Sequence, residues 1–240
     1  MRRMIIGHRG ASCHAPENTI AAFLAAAQAG SDAVEFDVSL TGDGVPVVHH
    51  DRLLGRCVEG YEALSQIAWK TLQKRDAGSW FASCYADERV PNLAQAIRTV
   101  FAQGMDVVAE LKIHEDETTM LGKAVLPVLE AFDPARILVT SFNREVLHYL
   151  RAHKPEMRLG LVATELPDDW LDLTRSLPLS TIHLDHTKLD LADVARLCQQ
   201  LTVGVYTLND AKRAKTLAAA GVRQIITDDP GRMRSMINQP

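Results

Sequence analysis

His8-Arg9-Gly10 closes a short apolar run near the start of the chain, and Glu35-Phe36-Asp37, His50-Asp51 and Glu110-Leu111-Lys112 close three later ones. Such a set can hold a metal ion and cut a phosphate ester. Glu35 and Asp37 stand two apart on an extended run, so both side chains leave the same face. Adjacent anions on one face repel unless a cation or protons intervene. With Glu110 they make three oxygen donors suited to one hard divalent ion, Mg2+ or Ca2+. From spacing alone the alternative is three solvated strand ends, but in Val34-Glu35-Phe36-Asp37-Val38 the acids alternate with apolar residues, which favours a site.

His8 and His50 add imidazoles that take and give protons near neutral pH. Arg9 offers a planar fork that fits two phosphate oxygens, and Lys112 shares a face with Glu110. Either cation could instead be a plain ion-pair partner. Their convergence with two histidines and three carboxylates favours an anionic substrate held on a metal. His49 should point away from the face used by His50 and is read as structural.

These residues need elements that bring them together. Apolar and β-branched runs alternate with Ala- and Leu-rich helical stretches along the whole chain, the βαβα pattern of a parallel sheet. Nine extended runs are expected, at 4–8, 33–40, 45–50, 106–111, 137–142, 158–162, 181–185, 203–208 and 224–227. Only Thr41-Gly42-Asp43-Gly44 separates the second from the third, too short for a parallel crossover, so these two form an antiparallel hairpin. The remaining eight strands make a (β/α)8 TIM barrel, whose C-terminal strand ends carry chemistry. Folding the hairpin about Asp43 sets His50 opposite Phe36, beside Glu35 and Asp37. Helices are expected at 19–29, with Asn18 as N-cap, and at 93–103, 117–132, 143–153, 190–200 and 210–220. The stretch 51–91, with Trp69, Trp80, Phe81 and Tyr85, is too long for a simple loop and reads as a small insertion over the barrel mouth.

The 240 residues, 47% hydrophobic and 23% charged, suit one single-core domain over 1–240. A formal charge of -4 supplies no basic field for nucleic acid or an anionic membrane. No run reaches the ~20 apolar residues of a membrane span, and the first residues lack a signal peptide's apolar core, so stable membrane insertion is not expected. Cys13, Cys57, Cys84 and Cys198 are scattered without zinc or disulfide spacing, and the expected compartment is the cytoplasm. Glycine-rich nucleotide loops and a Gly-x-Ser-x-Gly elbow are absent from the sequence. Oligomeric state is left open.

The segments His8-Arg-Gly-Ala-Ser-Cys-His-Ala-Pro-Glu-Asn-Thr19, Glu35-Phe-Asp-Val-Ser-Leu-Thr-Gly-Asp-Gly44 and Val48-His-His-Asp51 resemble the signature of the glycerophosphodiester phosphodiesterases in order and spacing. Ser141-Phe142, Tyr206-Thr-Leu-Asn209 and Ile226-Thr-Asp-Asp-Pro230 resemble its later motifs, so the resemblance spans essentially the whole chain. Asp76-Ala-Gly-Ser-Trp80, Asp168-Asp-Trp170 and Ile182-His-Leu-Asp-His186 look closest to the cytoplasmic bacterial branch linked to glycerol-3-phosphate uptake. The resemblance implies a phosphodiesterase barrel of the phospholipase C-like type that hydrolyses small glycerophosphodiesters to sn-glycerol 3-phosphate and an alcohol. It implies that His8 and His50 are the acid/base pair, that Arg9 and Lys112 hold the phosphate, and that Glu35, Asp37 and Glu110 bind one divalent metal. Two other readings stand beside it: a lysophospholipase D acting on longer lipids, and a non-catalytic barrel that only binds phosphate esters.

Overall fold

The computed structural model of the protein describes residues 3–115 and 117–237; the expected domain limits at 1 and 240 lie outside the described residues. In chain order the described elements are β1 Met4–His8, α1 Ile20–Gln28, β2 Ala33–Leu40, β3 Pro46–Val48, α2 Trp69–Leu72, α3 Leu93–Ala102, β4 Asp106–Leu111, α4 Thr118–Leu129, β5 Ile137–Ser141, α5 Arg144–His153, β6 Leu159–Ala163, α6 Trp170–Ser176, β7 Thr181–Asp185, α7 Leu191–Leu197, β8 Thr202–Tyr206, α8 Ala211–Ala220, β9 Gln224–Thr227 and α9 Pro230–Ile237. Eight strands pair in parallel in the order β1-β2-β4-β5-β6-β7-β8-β9, and β9 pairs back on β1 to close the barrel. β3 runs antiparallel to β2 with Val38 opposite Val48, as the short connection requires. Gly44 takes φ 78° in that turn, and its N–H donates to the Thr41 carbonyl at 2.9 Å.

Alternation along each strand builds two apolar layers. Phe36, Val38, Val107, Ala109, Val139, Leu161 and Val205 belong to the core beneath the helices, with Phe23 and Leu147 from α1 and α5. The opposite faces of the same strands place Ile6, Ala33, Val108, Leu138 and Ile226 in a separate cluster inside the barrel. Part of the interior is polar. The Nε2 of His183 lies 2.6 Å from Gln224 Oε1, and Thr181 Oγ1 donates to the same oxygen at 3.2 Å. Gly204 makes this possible, because a Cβ there would lie 2.4 Å from the His183 ring.

The differences from expectation are local. Thr19, not Asn18, caps α1, accepting from Ala22 N at 3.3 Å, while Asn18 enters the left-handed region at φ 58° and turns its side chain toward Asp37. β3 stops at Val48 instead of reaching His50, since the chain turns out of the ladder after the His49 N–H donates to the Asp37 carbonyl. α6, absent from the expected helices, follows β6. α7 ends at Leu197 and α4 at Leu129, short of the expected 200 and 132. Between β3 and α3 the chain forms α2 and two single 3-10 turns around a cluster of Leu54, Val58, Leu64, Ile67, Leu72 and Val90 seated on Val47. Among the described residues no helix is long and apolar enough to cross a membrane.

Burial holds the His183 ring neutral, lowering its pKa to about 4 against the raising effect of its hydrogen bond to Gln224. The unfolded chain therefore binds a proton that the folded one refuses between pH ~6.5 and ~4, so stability is complete above this window and is lost as pH falls through it. Urea unfolding at stepped pH should show a slope on the order of 1.4 kcal/mol per pH unit from this ring, and His183→Gln should remove that share. An unchanged slope in the variant would contradict the assignment.

Candidate active site

The barrel register assembles the acids. Parallel pairing sets His8, the last residue of β1, beside Glu35, and Asp37 beside Glu110 near the end of β4, with Glu35 and Asp37 themselves inside the longer β2. One oxygen from each of Glu35, Asp37 and Glu110 lies within 4.8 Å of the others. Glu35 and Asp37 are 3% and 1% exposed, so this is a buried anionic cluster, unlike a set of solvated ends. Burial and the neighbouring charge of Asp37 push the Glu35 carboxyl well above the usual range, and burial raises Glu110 as well. Asp37 goes the other way. Burial is outweighed by Lys112, Arg9 and His50 and by the Asn18 amide, and its pKa falls. The donor set and its excess of negative charge fit one hard divalent ion.

Arg9 and Lys112 lie against the acids. Arg9 Nε is 3.1 Å from Asp37 Oδ2, Arg9 Nη1 is 2.6 Å from Glu17 Oε1, and the Arg9 N–H donates to Glu35 at 3.1 Å. Lys112 Nζ lies 2.5 Å from Glu110 Oε1 and 3.1 Å from Asp37 Oδ1. The backbone is bent to suit: Arg9 holds φ 55° and Gly10 φ 91°. A Cβ on Gly10 would come within 2.6 Å of the Ala22 backbone, so only glycine lets this loop rest on α1.

Both histidines carry a carboxylate on Nδ1. His8 Nδ1 is 2.6 Å from Asp228 Oδ1, and His50 Nδ1 is 2.8 Å from Asp51 Oδ1. Despite burial, hydrogen bonds from His8, Asn209 and Ser12 hold Asp228 at about 2, and those from Arg56 and His50 hold Asp51 at about 2. Ionised carboxylates only accept, so Nδ1 is the donor in each ring and Nε2 is the atom left for a substrate. The rings are nevertheless pushed apart. Burial opposes charge on His8, but Asp228 and Glu35 raise it, whereas burial and the nearby Arg9 and Lys112 lower His50 against the pull of Asp37.

All seven residues expected at the site are therefore gathered at one end of the barrel. The sequence singles out none of Glu17, Arg56, Asp228 and Asn209 individually, and it offers Asn18 only as a helix N-cap. Asp228 had an available signal, since it follows β9 as Glu110-Leu111-Lys112 ends β4. Glu17 has none beyond its place in the His8–Thr19 segment, and the signal at Asn18 points to a helix cap and away from the site. His49 is buried, and burial lowers its ring to about 4, with Nε2 unpartnered, so it stays apart from the site chemistry as read from its alternation with His50.

The profile of the glycerophosphoryl diester phosphodiesterase family matches residues 8–232. The chain belongs to that family. YhdW of Bacillus subtilis (strain 168) is 32% identical over 232 residues, 94% of each chain. The glycerophosphodiester phosphodiesterase of Caldanaerobacter subterraneus subsp. tengcongensis is 27% identical, covering 100% of this chain and 99% of its own. The solved structure of an Oleispira antarctica phosphodiesterase in complex with the product sn-glycerol-3-phosphate superposes with a TM-score of 0.94 at 32% identity, over 98% of this chain and 97% of that one. As a family member the protein is a glycerophosphodiester phosphodiesterase, built on the TIM barrel of its relatives.

With burial and the charge of Asp37 raising the Glu35 carboxyl to about 8, the cluster holds a proton at neutral pH that a cation must displace. Calorimetric titration of Mg2+, Ca2+ or Mn2+ at pH 7 in two buffers of different ionisation enthalpy should show roughly one proton released per ion bound. Heats identical in the two buffers would refute a protonated cluster.

Proposed function

We propose that the protein hydrolyses small glycerophosphodiesters, such as glycerophosphocholine and glycerophosphoethanolamine, to sn-glycerol 3-phosphate and an alcohol, by metal-dependent His/His acid-base catalysis. The observation that carries this reading is the pairing of His8 with Asp228 and His50 with Asp51 around the Glu35-Asp37-Glu110 cluster. The sn-glycerol-3-phosphate in the Oleispira antarctica relative supports the substrate class. Glu35, Asp37 and Glu110 would hold one divalent ion, Mg2+ or Ca2+, which when bound supplies positive charge to the phosphoryl oxygens.

Arg9 and Lys112 bind the phosphate and offset the charge that develops on its non-bridging oxygens as the attacking group closes in. One histidine takes the proton, at Nε2, from the attacking hydroxyl, whether of water or of the substrate's own C2. The other gives a proton from Nε2 to the departing alcohol oxygen. Divergent environments for two titratable groups are what such a division of labour requires. Asp228 and Asp51 fix each ring's tautomer and stabilise its charged form as the proton arrives. Residues 51–91 act as an insertion beside this end of the barrel. Four cysteines unpaired in the structure accord with a reducing compartment, and we assign the protein to the cytoplasm.

Release of glycerol 3-phosphate from glycerophosphocholine, read by a coupled assay, should vanish with EDTA and return with Mg2+, Ca2+ or Mn2+. His8→Ala and His50→Ala should each lower kcat by about 10²–10⁴-fold with the fold intact. Near-normal turnover in either variant would refute the acid/base assignment. Turnover of lysolipid micelles in preference to glycerophosphocholine would point to a lysophospholipase D instead.

A further inference from the structure

Arg56 sits outside every step of that mechanism, yet it lies between the two halves of the site. Its Nη1 and Nη2 donate to Glu17 Oε2 and Oε1 at 2.7 and 2.8 Å. Its Nε and Nη2 donate to Asp51 Oδ2 and Oδ1 at 2.6 and 3.1 Å. Glu17 in turn grips Arg9, and Asp51 grips His50. An unbroken chain of charge-assisted bonds thus runs Arg9–Glu17–Arg56–Asp51–His50, with a guanidinium at its centre forking into two carboxylates. Such planar two-point pairing fixes direction as well as distance, which a lysine cannot reproduce.

The loop that carries Arg56 is held in place independently. Leu54 N–H donates to the Glu62 carbonyl at 3.0 Å and Gly55 N–H to the Val58 carbonyl at 2.8 Å, while Leu53 bridges Ala63. Arg75 clamps the returning segment through the Glu59 carbonyl and the Glu62 carboxylate. Arg56 is therefore presented from a built turn. Its side chain is 46% exposed, so as an isolated ion pair it would contribute little to stability. Glu17, at 13%, is far less exposed and would be a costly charge without its two arginines.

We propose that Arg56 is a positioning residue that sets Arg9 and His50 in one register, through Glu17 and Asp51, so that phosphate binding and proton transfer address the same phosphorus atom. This rests on the acid/base reading given above. A loosened Asp51 lets the His50 ring rotate off its line, and a loosened Glu17 frees the Nη1 end of the Arg9 fork to pivot about its Nε contact with Asp37. Displacements of about 1 Å in such groups lower turnover by about 10²-fold while leaving ground-state binding largely intact.

The test measures kcat, KM, metal affinity and Tm for Arg56→Gln, Arg56→Ala and Arg56→Lys on glycerophosphocholine at saturating metal. Arg56→Gln should lose about 10- to 100-fold in kcat, with KM and metal affinity changed far less and Tm near that of the parent. Arg56→Lys should recover only a small part. Millimolar methylguanidine should raise kcat of Arg56→Ala several-fold and do nothing for Glu17→Gln or Asp51→Asn. Parental kcat in Arg56→Gln overturns the proposal. So does a loss of kcat that tracks an equal loss of Tm or metal affinity and is not rescued by the guanidine, because that is a structural role only. His8→Ala and His50→Ala serve as the separate control. If they are inactive while Arg56→Gln is fully active, only this inference fails; if they remain active, the acid/base reading falls and this inference with it.

Discussion

Glu35, Asp37 and Glu110 bring three carboxylates within one ion's reach at the end of a barrel, and two of them are almost wholly removed from water. Like charges in a low-dielectric interior repel far more strongly than on a surface, and each also loses its hydration. The neighbouring structure answers that demand. Two cations, Arg9 and Lys112, are drawn onto Asp37, the Arg9 N–H is spent on Glu35, and the Asn18 amide leaves its helix cap to bond Asp37. What remains uncompensated appears as raised pKa values on Glu35 and Glu110. A carboxylate cluster left with this uncompensated charge fits a divalent cation.

Adjacent parallel strands deliver the acids this tightly. Adjacent strands in register put Asp37 directly beside Glu110 and His8 beside Glu35, so the spacing is fixed by the ladder and needs no loop. Below this layer the barrel is plugged by Ile6, Ala33, Val108, Leu138 and Ile226, which keep water from reaching the carboxylates from beneath. The helical side is held by the larger outer core, with Phe23 against Phe36 at 5.6 Å directly behind the Glu35-Phe36-Asp37 strand. Packing behind the strand and charge in front of it are thereby set by the same alternation of side chains.

That alternation is also why so much could be read in advance. A period of two with acids at alternate positions of an apolar strand marks both the strand and its functional face, and the four-residue link at 41–44 admits only a hairpin. Interactions that span the chain were not legible. Asp228 reaches His8 across 220 residues, and no local pattern announces the pairing. Asn18 shows the limit most clearly. Its type and place suit an N-cap, but Thr19 stands next to it and suits one equally, and the unsatisfied charge of Asp37 decides which of them is released for the site. The apolar pattern likewise does not mark the end of β3, where the chain leaves the ladder after the His49 N–H bonds the Asp37 carbonyl and the His50 ring then meets Asp51.

The site is consequently divided between two kinds of support. The carboxylates stand on strands, where hydrogen bonds to both neighbours resist displacement. His50, Asp51 and Arg56 stand on the loop that follows β3, tied to β2 at the His49 peptide, and Glu17 stands on another loop. Loop-borne groups gain precision only from their own bonds. The left-handed Arg9 and Gly10 supply part of that precision on the β1 side by forcing the chain down onto α1. On the β3 side the His49 N–H on the Asp37 carbonyl and the Ser39 hydroxyl on the His49 carbonyl hold the chain just before His50, and the carboxylate on Nδ1 is the link through which the ring itself is aimed. Asp51 is itself exposed enough to wander unless it too is gripped, which leaves the two-carboxylate fork of Arg56 as the element that gives the loop-borne half of the site the stiffness the strands give the other half.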